Sequence, residues 1–239
     1  MQQPKQERLI RARKSQEQLK SQVQAGWESF SAGNSGPNPK LRVHGHRAFL
    51  GQNGWMNISP EIPHWPGVAP TRGGVILRRF RDEDAAMALE LSQDQYVPTV
   101  GTLPGNATPE EALAWVERQR QHHLRGTGFA FAIADAGTGR CLGQIGLWLR
   151  ELGAGRAQAG YAVSPGARGR GLAADALLAL CGFAWTIPEL HRIELHIEPW
   201  NTASVRSAEN AGFSREGLLR SYQEIAGERR DMLLYAAVR

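Results

Sequence analysis

The sequence predicts an α/β domain with a mixed central sheet over residues 75–239, and three observations carry that reading. From Val75 onward, apolar runs of strand length alternate with amphipathic segments of helix length, in the order βααβββαβαββ. Two of the strand runs, Phe129–Ile133 and Cys141–Trp148, are separated only by the turn sequence Asp135–Arg140, so the second returns beside the first as a hairpin. Late in the chain, from Gly160 to Trp185, a strand, a glycine-rich loop and a helix succeed one another directly. No internal repeat is present.

Residues 1–74 read differently, as a basic leader containing Gly and Pro. The chain's net charge of +5 resides there: residues 1–56 carry nine basic and three acidic side chains, whereas residues 57–239 carry 19 and 20. Every lysine lies at or before Lys40. Residues 1–25 are rich in Gln, Lys and Arg with sparse apolar positions, a solvated helix or an unfolded arm. Residues 31–74 show isolated tryptophans without periodicity, a linker with local packing around Trp55 and Trp65. Residues 1–55 fit equally a native leader and an upstream extension, vector-derived or mis-annotated, with Met56 as the natural start. A nucleic-acid-binding arm is the functional alternative, but aromatic side chains are too thinly interleaved to favour it.

Composition excludes several classes. A hydrophobic content of 41% is enough for a core, and no apolar run approaches the roughly 20 residues of a membrane span. The polar N-terminus lacks the apolar region of a signal peptide. Cys141 and Cys181 lack metal-ligand spacing and fall in a strand and a helix, which reads as buried thiols of a reducing compartment. His44, His46 and the pair His122–His123 likewise lack partners at metal spacing, so no metal is expected. The expectation is a soluble, cytoplasmic protein with no membrane partner.

Along the chain, Val75–Phe80 is a first strand, and Arg81–Asp84 opens a helix with acids in its first turn, as the helix dipole favours. The stretch Gln95–Asn106, with Pro98, Gly101, Pro104 and Gly105, is a loop. Thr108-Pro109-Glu110-Glu111 is a capping box with proline at the first helical position, launching a helix to Gly126. After the hairpin and a turn over Glu151–Ala157 comes the strand Gly160–Val163. His191–Glu198 is a strand with Ile193, Leu195 and Ile197 on one face and Glu194, His196 and Glu198 on the other. Thr202–Asn210 is a short helix. The strands Gly217–Ile225 and Asp231–Val238, joined at Gly227, end the chain.

The chemistry is concentrated in the glycine loop. A helix N-terminus presents unpaired N–H groups and partial positive charge, which suits a phosphate. Gly169 and Gly171 let the backbone approach an anion closely, and Arg168 and Arg170 add formal charge. The loop is not a Walker motif, because no lysine lies near it, and it lacks the offsets and early position of a dinucleotide fingerprint.

Its spacing, Arg168-x-x-Gly171-x-Ala173, resembles the acetyl-CoA pyrophosphate loop of the GNAT N-acetyltransferases. Asn201-x-x-Ser204 with Glu209-Asn210-Ala211-Gly212-Phe213 after it resembles that family's last-helix motif. The continuation Glu216-Gly217, Arg220, Gly227 and Arg230-Asp231 is similar to the Rim-type enzymes that acetylate the N-termini of ribosomal proteins. The resemblance covers Val75 to Arg239 and implies a GNAT fold, in which two parallel strands, here Gly160–Val163 and His191–Glu198, splay apart between flanking helices.

The resemblance also implies a cosubstrate, acetyl-CoA, and a set of roles for its site. Backbone groups at Ala162 and Val163 would hydrogen-bond the pantetheine arm, and the segment Arg168, Gly169, Arg170, Gly171, Leu172 and Ala173 would hold the pyrophosphate. Asn201 would steady the pantetheine. An N–H near Val163 would polarise the thioester carbonyl. In this family's chemistry the amine attacks directly, leaving two proton tasks. Ser204 is the candidate donor to the thiolate, since Phe213 has no hydroxyl and Tyr222 lies further on. Glu194 and Glu198, flanking His196, are the candidate bases, against a reading of that face as solvated or paired with Arg192 and Arg206. An α-amine titrates at about 7.7–8.0, against about 10.4 for lysine, and needs little help from a base, which favours a protein or peptide N-terminus as acceptor. The alternative acceptor is a small amine such as an antibiotic, polyamine or metabolite, selected by Gln95–Asn106 and the final hairpin. A non-catalytic acyl-CoA-binding regulator is the reading from another class. Nothing in the residues sets the oligomeric state, for which a homodimer stands beside a monomer.

Overall fold

In a computed structural model the described residues are 62–239, together with three short strands at Arg42–His44 (β1), Arg47–Phe49 (β2) and Trp55–Asn57 (β3). The chain divides into two compact units, Met1–Met56 and Asn57–Arg239. In the first, β1 and β2 pair antiparallel with Arg42 opposite Phe49, in a sheet ordered β1-β2-β3. The expectations for residues 1–41, for His44 and His46 as side chains without a metal, and for packing at Trp55 lie outside the described residues.

The second unit is built on an eight-stranded sheet ordered β10-β11-β9-β8-β7-β6-β5-β4. Its strands are Thr71–Arg72 (β4), Val75–Arg78 (β5), Gly128–Asp135 (β6), Cys141–Trp148 (β7), Arg156–Val163 (β8), Arg192–Ile197 (β9), Ser214–Ile225 (β10) and Glu228–Val238 (β11). Neighbours pair antiparallel except β8 and β9, which are parallel. The α-helices of this unit are Ala85–Ser92 (α1), Val97–Val100 (α2), Pro109–Leu124 (α3), Leu172–Ala184 (α4) and Thr202–Asn210 (α5).

Local chemistry accounts for the boundaries. The Thr108 hydroxyl accepts from the Glu111 N–H at 3.3 Å and the Glu111 carboxylate accepts from the Thr108 N–H at 2.9 Å, so the expected capping box starts α3. Strand β5 stops at Arg78, whose guanidinium turns to grip Asp84 at 2.7 and 2.8 Å and donates to the Gly139 carbonyl. Strand β8 begins four residues before the expected Gly160, because Gly155, at φ +74°, completes the preceding turn and frees Arg156 for pairing. Ala226 and Gly227, both at positive φ, make a two-residue turn, which lengthens the final hairpin to Ser214–Val238.

Helices cover both faces of the sheet, so β6 is buried on both sides. Phe129, Phe131 and Ile133 of β6 point into one core with Leu177, Leu180 and Ala184 of α4 and Ile193 and Leu195 of β9. Ala130 and Ala132, with small side chains, admit the other core: Phe80, Met87, Leu91, Trp115 and Val116. The segment before Val75 packs on the first core. The Trp65 ring lies 4.6 Å from that of Phe131, Arg79 stacks over it at 4.0 Å, and the Pro63 carbonyl is 3.0 Å from His123 Nε2. Cys141 and Cys181 are buried free thiols, each pushed up to about 12, chiefly by burial. Among the described residues, no helix is long and apolar enough to cross a membrane, and no cluster of His, Cys, Asp and Glu could hold a metal ion.

Candidate active site

The site begins where β8 and β9 stop being neighbours. Arg156, Ala157 and Gln158 pair with Arg192, Ile193 and Glu194, and the register runs no further, although β8 continues to Val163 and β9 to Ile197. Beyond Gln158 the edge of β8 therefore has no strand partner on that side among the described residues. Ala162 and Val163 sit at the open end, held from the other side by Gln144 and Gly143 of β7. Gly143 is needed for that hold: a Cβ there would lie 2.3 Å from the Ala162 carbonyl oxygen.

Next along the chain, the glycine loop turns into α4. Gly169 and Gly171 have φ of +76° and +77°, a left-handed conformation that costs other residues energy. Gly171 is the N-cap of α4, and no side chain caps the helix, so the N–H groups of its first turn, at Leu172 and Ala173, have no side-chain cap. Arg170 is exposed beside them. Arg168 is engaged by the protein: its Nε donates to the Val163 carbonyl at 3.0 Å, and its Nη2 meets Asp94 at 2.6 Å.

Across the gap, Asn201 caps α5, its side-chain oxygen accepting from the Ser204 N–H at 3.1 Å, so its amide NH₂ is the group left to reach a ligand. Ser204 stands in the first turn, half-buried. The Tyr161 hydroxyl crosses from β8 and donates to the Ser204 carbonyl at 3.1 Å. Burial raises the pKa of that phenol, which serves as a tie between β8 and α5.

The acidic face of β9 is divided by the structure. Glu194 accepts from Arg192 Nε at 2.6 Å, and Arg192 also clasps Glu216, whose carboxyl the guanidinium holds below its ordinary range. Glu194 thus lies in an ion-pair cluster where β8 and β9 are still paired. His196 stacks on Tyr222 at 4.7 Å, and burial lowers its pKa despite Glu194. Glu198, about 13 Å further along the strand from Glu194 at the usual rise, is only 4% exposed. Arg230, itself half-exposed, lies 3.9 Å from it. The Tyr96 hydroxyl lies beside Glu198 and Asn201, and burial, with hydrogen bonding to Glu198 next, raises its pKa above the ordinary phenol range. The structure therefore brings Asn201, Ser204 and Glu198 to one end of the gap and leaves Glu194 at the other.

Sequence reasoning missed Tyr96, Asp94 and Tyr161. Tyr96 lies at the head of the stretch Gln95–Asn106 read as substrate-selecting, and Asp94 just before it, but nothing local marks Tyr96 as a neighbour of a residue 102 positions away.

The free edge of β8, the uncapped helix behind a left-handed glycine and the exposed Arg170 form a fitting receptor for an extended thioester arm carrying a pyrophosphate. Two clefts, of about 330 Å³ beside Arg78 and Arg140 and about 700 Å³ between Pro63–Arg72 and α4, lie away from this gap. Residues 75–214 match the acetyltransferase (GNAT) domain family. The chain belongs to the GNAT acetyltransferases. Among curated relatives, an N-acetyltransferase p20 of Bacillus licheniformis is 27% identical over 163 residues, covering 68% of this chain and 92% of the relative. Mycobacterium smegmatis RimJ, solved with a CoA disulfide, is 30% identical, with TM-score 0.63 over 73% of this chain and 88% of that one. RimL, the ribosomal L7/L12 alpha-N-protein acetyltransferase solved with coenzyme A, shares the fold at TM-score 0.61 and 20% identity, over 71% and 97% of the two chains. This GNAT chain is an acetyl-CoA-dependent N-acetyltransferase.

Proposed function

We propose that the acceptor is a protein or peptide N-terminal α-amine, which attacks the acetyl carbonyl directly. The observation that carries this reading is the exposed aromatic surface near Glu198: Trp200, two residues on and edge-on to Tyr96, is 59% exposed, and Tyr222, packed on His196, is 45% exposed, so open aromatic faces border this end of the gap. An open border admits the end of a polypeptide, and its aromatic faces suit the first side chains.

Acetyl-CoA supplies an activated acetyl group on a thiolate leaving group, and the chain's residues do the rest. The edge of β8 at Ala162 and Val163 aligns the arm, and the N–H near Val163 stabilises charge developing on the carbonyl oxygen. The loop from Gly169 to Ala173, braced by Arg168, seats the pyrophosphate, and the Asn201 amide steadies the pantetheine. Glu198 takes the proton that the attacking amine loses, directly or through one water, with Tyr96 orienting the carboxylate. Ser204 relays a proton to the departing thiolate and regains one from solvent, so its hydroxyl is restored. Carbon–nitrogen bond formation and carbon–sulfur cleavage are thus matched by one proton accepted and one donated. Glu194, already held by Arg192, buttresses the strand.

Thiol release from acetyl-CoA tests the proposal, with peptides beginning Ala, Ser or Thr, the same peptides blocked at the N-terminus, and a set of small amines including a polyamine. Turnover of free but not blocked peptides is expected. Turnover of small amines alone would overturn the N-terminal reading and leave the chemistry standing.

A further inference from the structure

Arg168 is the side chain that the pyrophosphate-loop pattern assigns to the cosubstrate, yet the protein already engages two of its three guanidinium nitrogens. Nε donates to the Val163 carbonyl at 3.0 Å and Nη2 to Asp94 Oδ2 at 2.6 Å. The other oxygen of Asp94 accepts from two backbone N–H groups, Tyr96 at 2.8 Å and Val97 at 2.9 Å. These bonds from Val97, Tyr96 and Arg168 outweigh burial and keep Asp94 ionised below its ordinary range. Tyr96 in turn packs edge-on against Trp200 at 4.8 Å and lies beside Glu198 and Asn201. One carboxylate therefore ties the cofactor loop and the open end of β8 to the segment that orders the acceptor side.

With Nε and Nη2 engaged, Nη1 is the nitrogen left to face solvent, and the guanidinium cannot turn its Nε–Nη2 edge to a phosphate without giving up the charge-assisted bond to Asp94. Arg170, two residues on, is exposed beside the uncapped first turn of α4. We propose that Asp94 and Arg168 are positioning residues that hold the acceptor segment 94–100 against the acyl-CoA site, while Arg170 and the N–H groups of α4 meet the phosphate charge. The assignment rests on the reading of the loop from Gly169 to Ala173 as the pyrophosphate seat, with Arg168 as its strut and Arg170 as its charged ligand. Its consequence is that removing the strut damages acceptor use more than cosubstrate binding.

The test compares D94N, R168Q, the double variant and R170Q. Calorimetry with acetyl-CoA should give dissociation constants within about threefold of wild type for D94N and R168Q, and about tenfold weaker or more for R170Q. With whichever free peptide beginning Ala, Ser or Thr is turned over fastest, D94N and R168Q should raise the acceptor KM about fivefold to tenfold with kcat within about twofold. The double variant should be no worse than R168Q, because the bond between Asp94 and Arg168 is already lost in that single variant. Hydrogen exchange reads the tether without any acceptor: R168Q should accelerate exchange at the Tyr96 and Val97 amides. Equal weakening of acetyl-CoA by R168Q and R170Q, or unchanged exchange at those two amides, overturns the proposal. If R170Q leaves acetyl-CoA binding untouched, the pyrophosphate-seat reading fails instead, and the exchange result still judges the strut.

Discussion

Replacing Gly171 by glutamate separates the conformational role of the loop from its electrostatic one. An added Cβ meets nothing within 4 Å, so the substitution causes no clash, and its structural cost is the left-handed φ of +77°. That strain is about 1–2 kcal/mol, offset by about 0.3–1 kcal/mol from a negative charge at a helix N-terminus. The net loss of about 1 kcal/mol lowers the melting temperature by about 2–4 °C for a domain of this size. A bound pyrophosphate meets a different outcome. One phosphate charge about 5 Å from the new carboxylate is disfavoured by about 3 kcal/mol at an effective dielectric constant of about 20, a factor of about a hundred or more in Kd. Gly171→Gln bears the same strain without the charge and is the control. Titration calorimetry with acetyl-CoA, alongside thermal melts of both variants, supplies the comparison. A glutamate variant that binds within about threefold of the glutamine variant would show that the loop does not face the phosphate.

The same geometry sets three further outcomes. Glu198→Gln should lower kcat/KM by about 10²-fold, the lower end for a general base because an α-amine is easily deprotonated, with acetyl-CoA affinity unchanged; wild-type kinetics would assign the proton elsewhere. Ser204→Ala should reduce kcat roughly tenfold or more without weakening CoA binding, since its backbone N–H still reaches Asn201, and a pre-steady-state measurement of thiol release would locate the loss. Gly143→Ala forces a methyl group against the Ala162 carbonyl, costing about 1–3 kcal/mol of stability and shifting the very edge that holds the arm; a melt unchanged from wild type would contradict the close approach of β7 and β8.

How much of the fold and the site was legible in the sequence depended on range. The capping box at Thr108 and Glu111, the left-handed glycines of the loop and the alternation of Ile193, Leu195 and Ile197 each depend on neighbours a few residues away, so their spacing alone exposes them. The start of β8 was hidden because Arg156 and Gln158 are polar; their pairing is fixed by β7 and β9, which sequence distance conceals. The division between the two glutamates of β9 was equally invisible. Glu194 and Glu198 occupy equivalent positions in the alternation, and only the fold brings Arg192 and Glu216 to one and Tyr96 to the other. The same holds for Asp94, 74 residues from Arg168, whose two oxygens read as an ordinary turn until the loop is placed beside it.

The most direct measurement is the mass spectrometric location of the transferred group. A peptide that begins with Ala, Ser or Thr and also contains an internal lysine is incubated with the enzyme and acetyl-CoA, and the product is fragmented. N-terminal transfer predicts a single acetyl group on the first residue's α-amine, lost when the N-terminus is blocked and reduced in proportion to kcat/KM in Glu198→Gln. Acetyl on the lysine side chain, or a peptide left unmodified while a small amine in the same tube is acetylated, would contradict it.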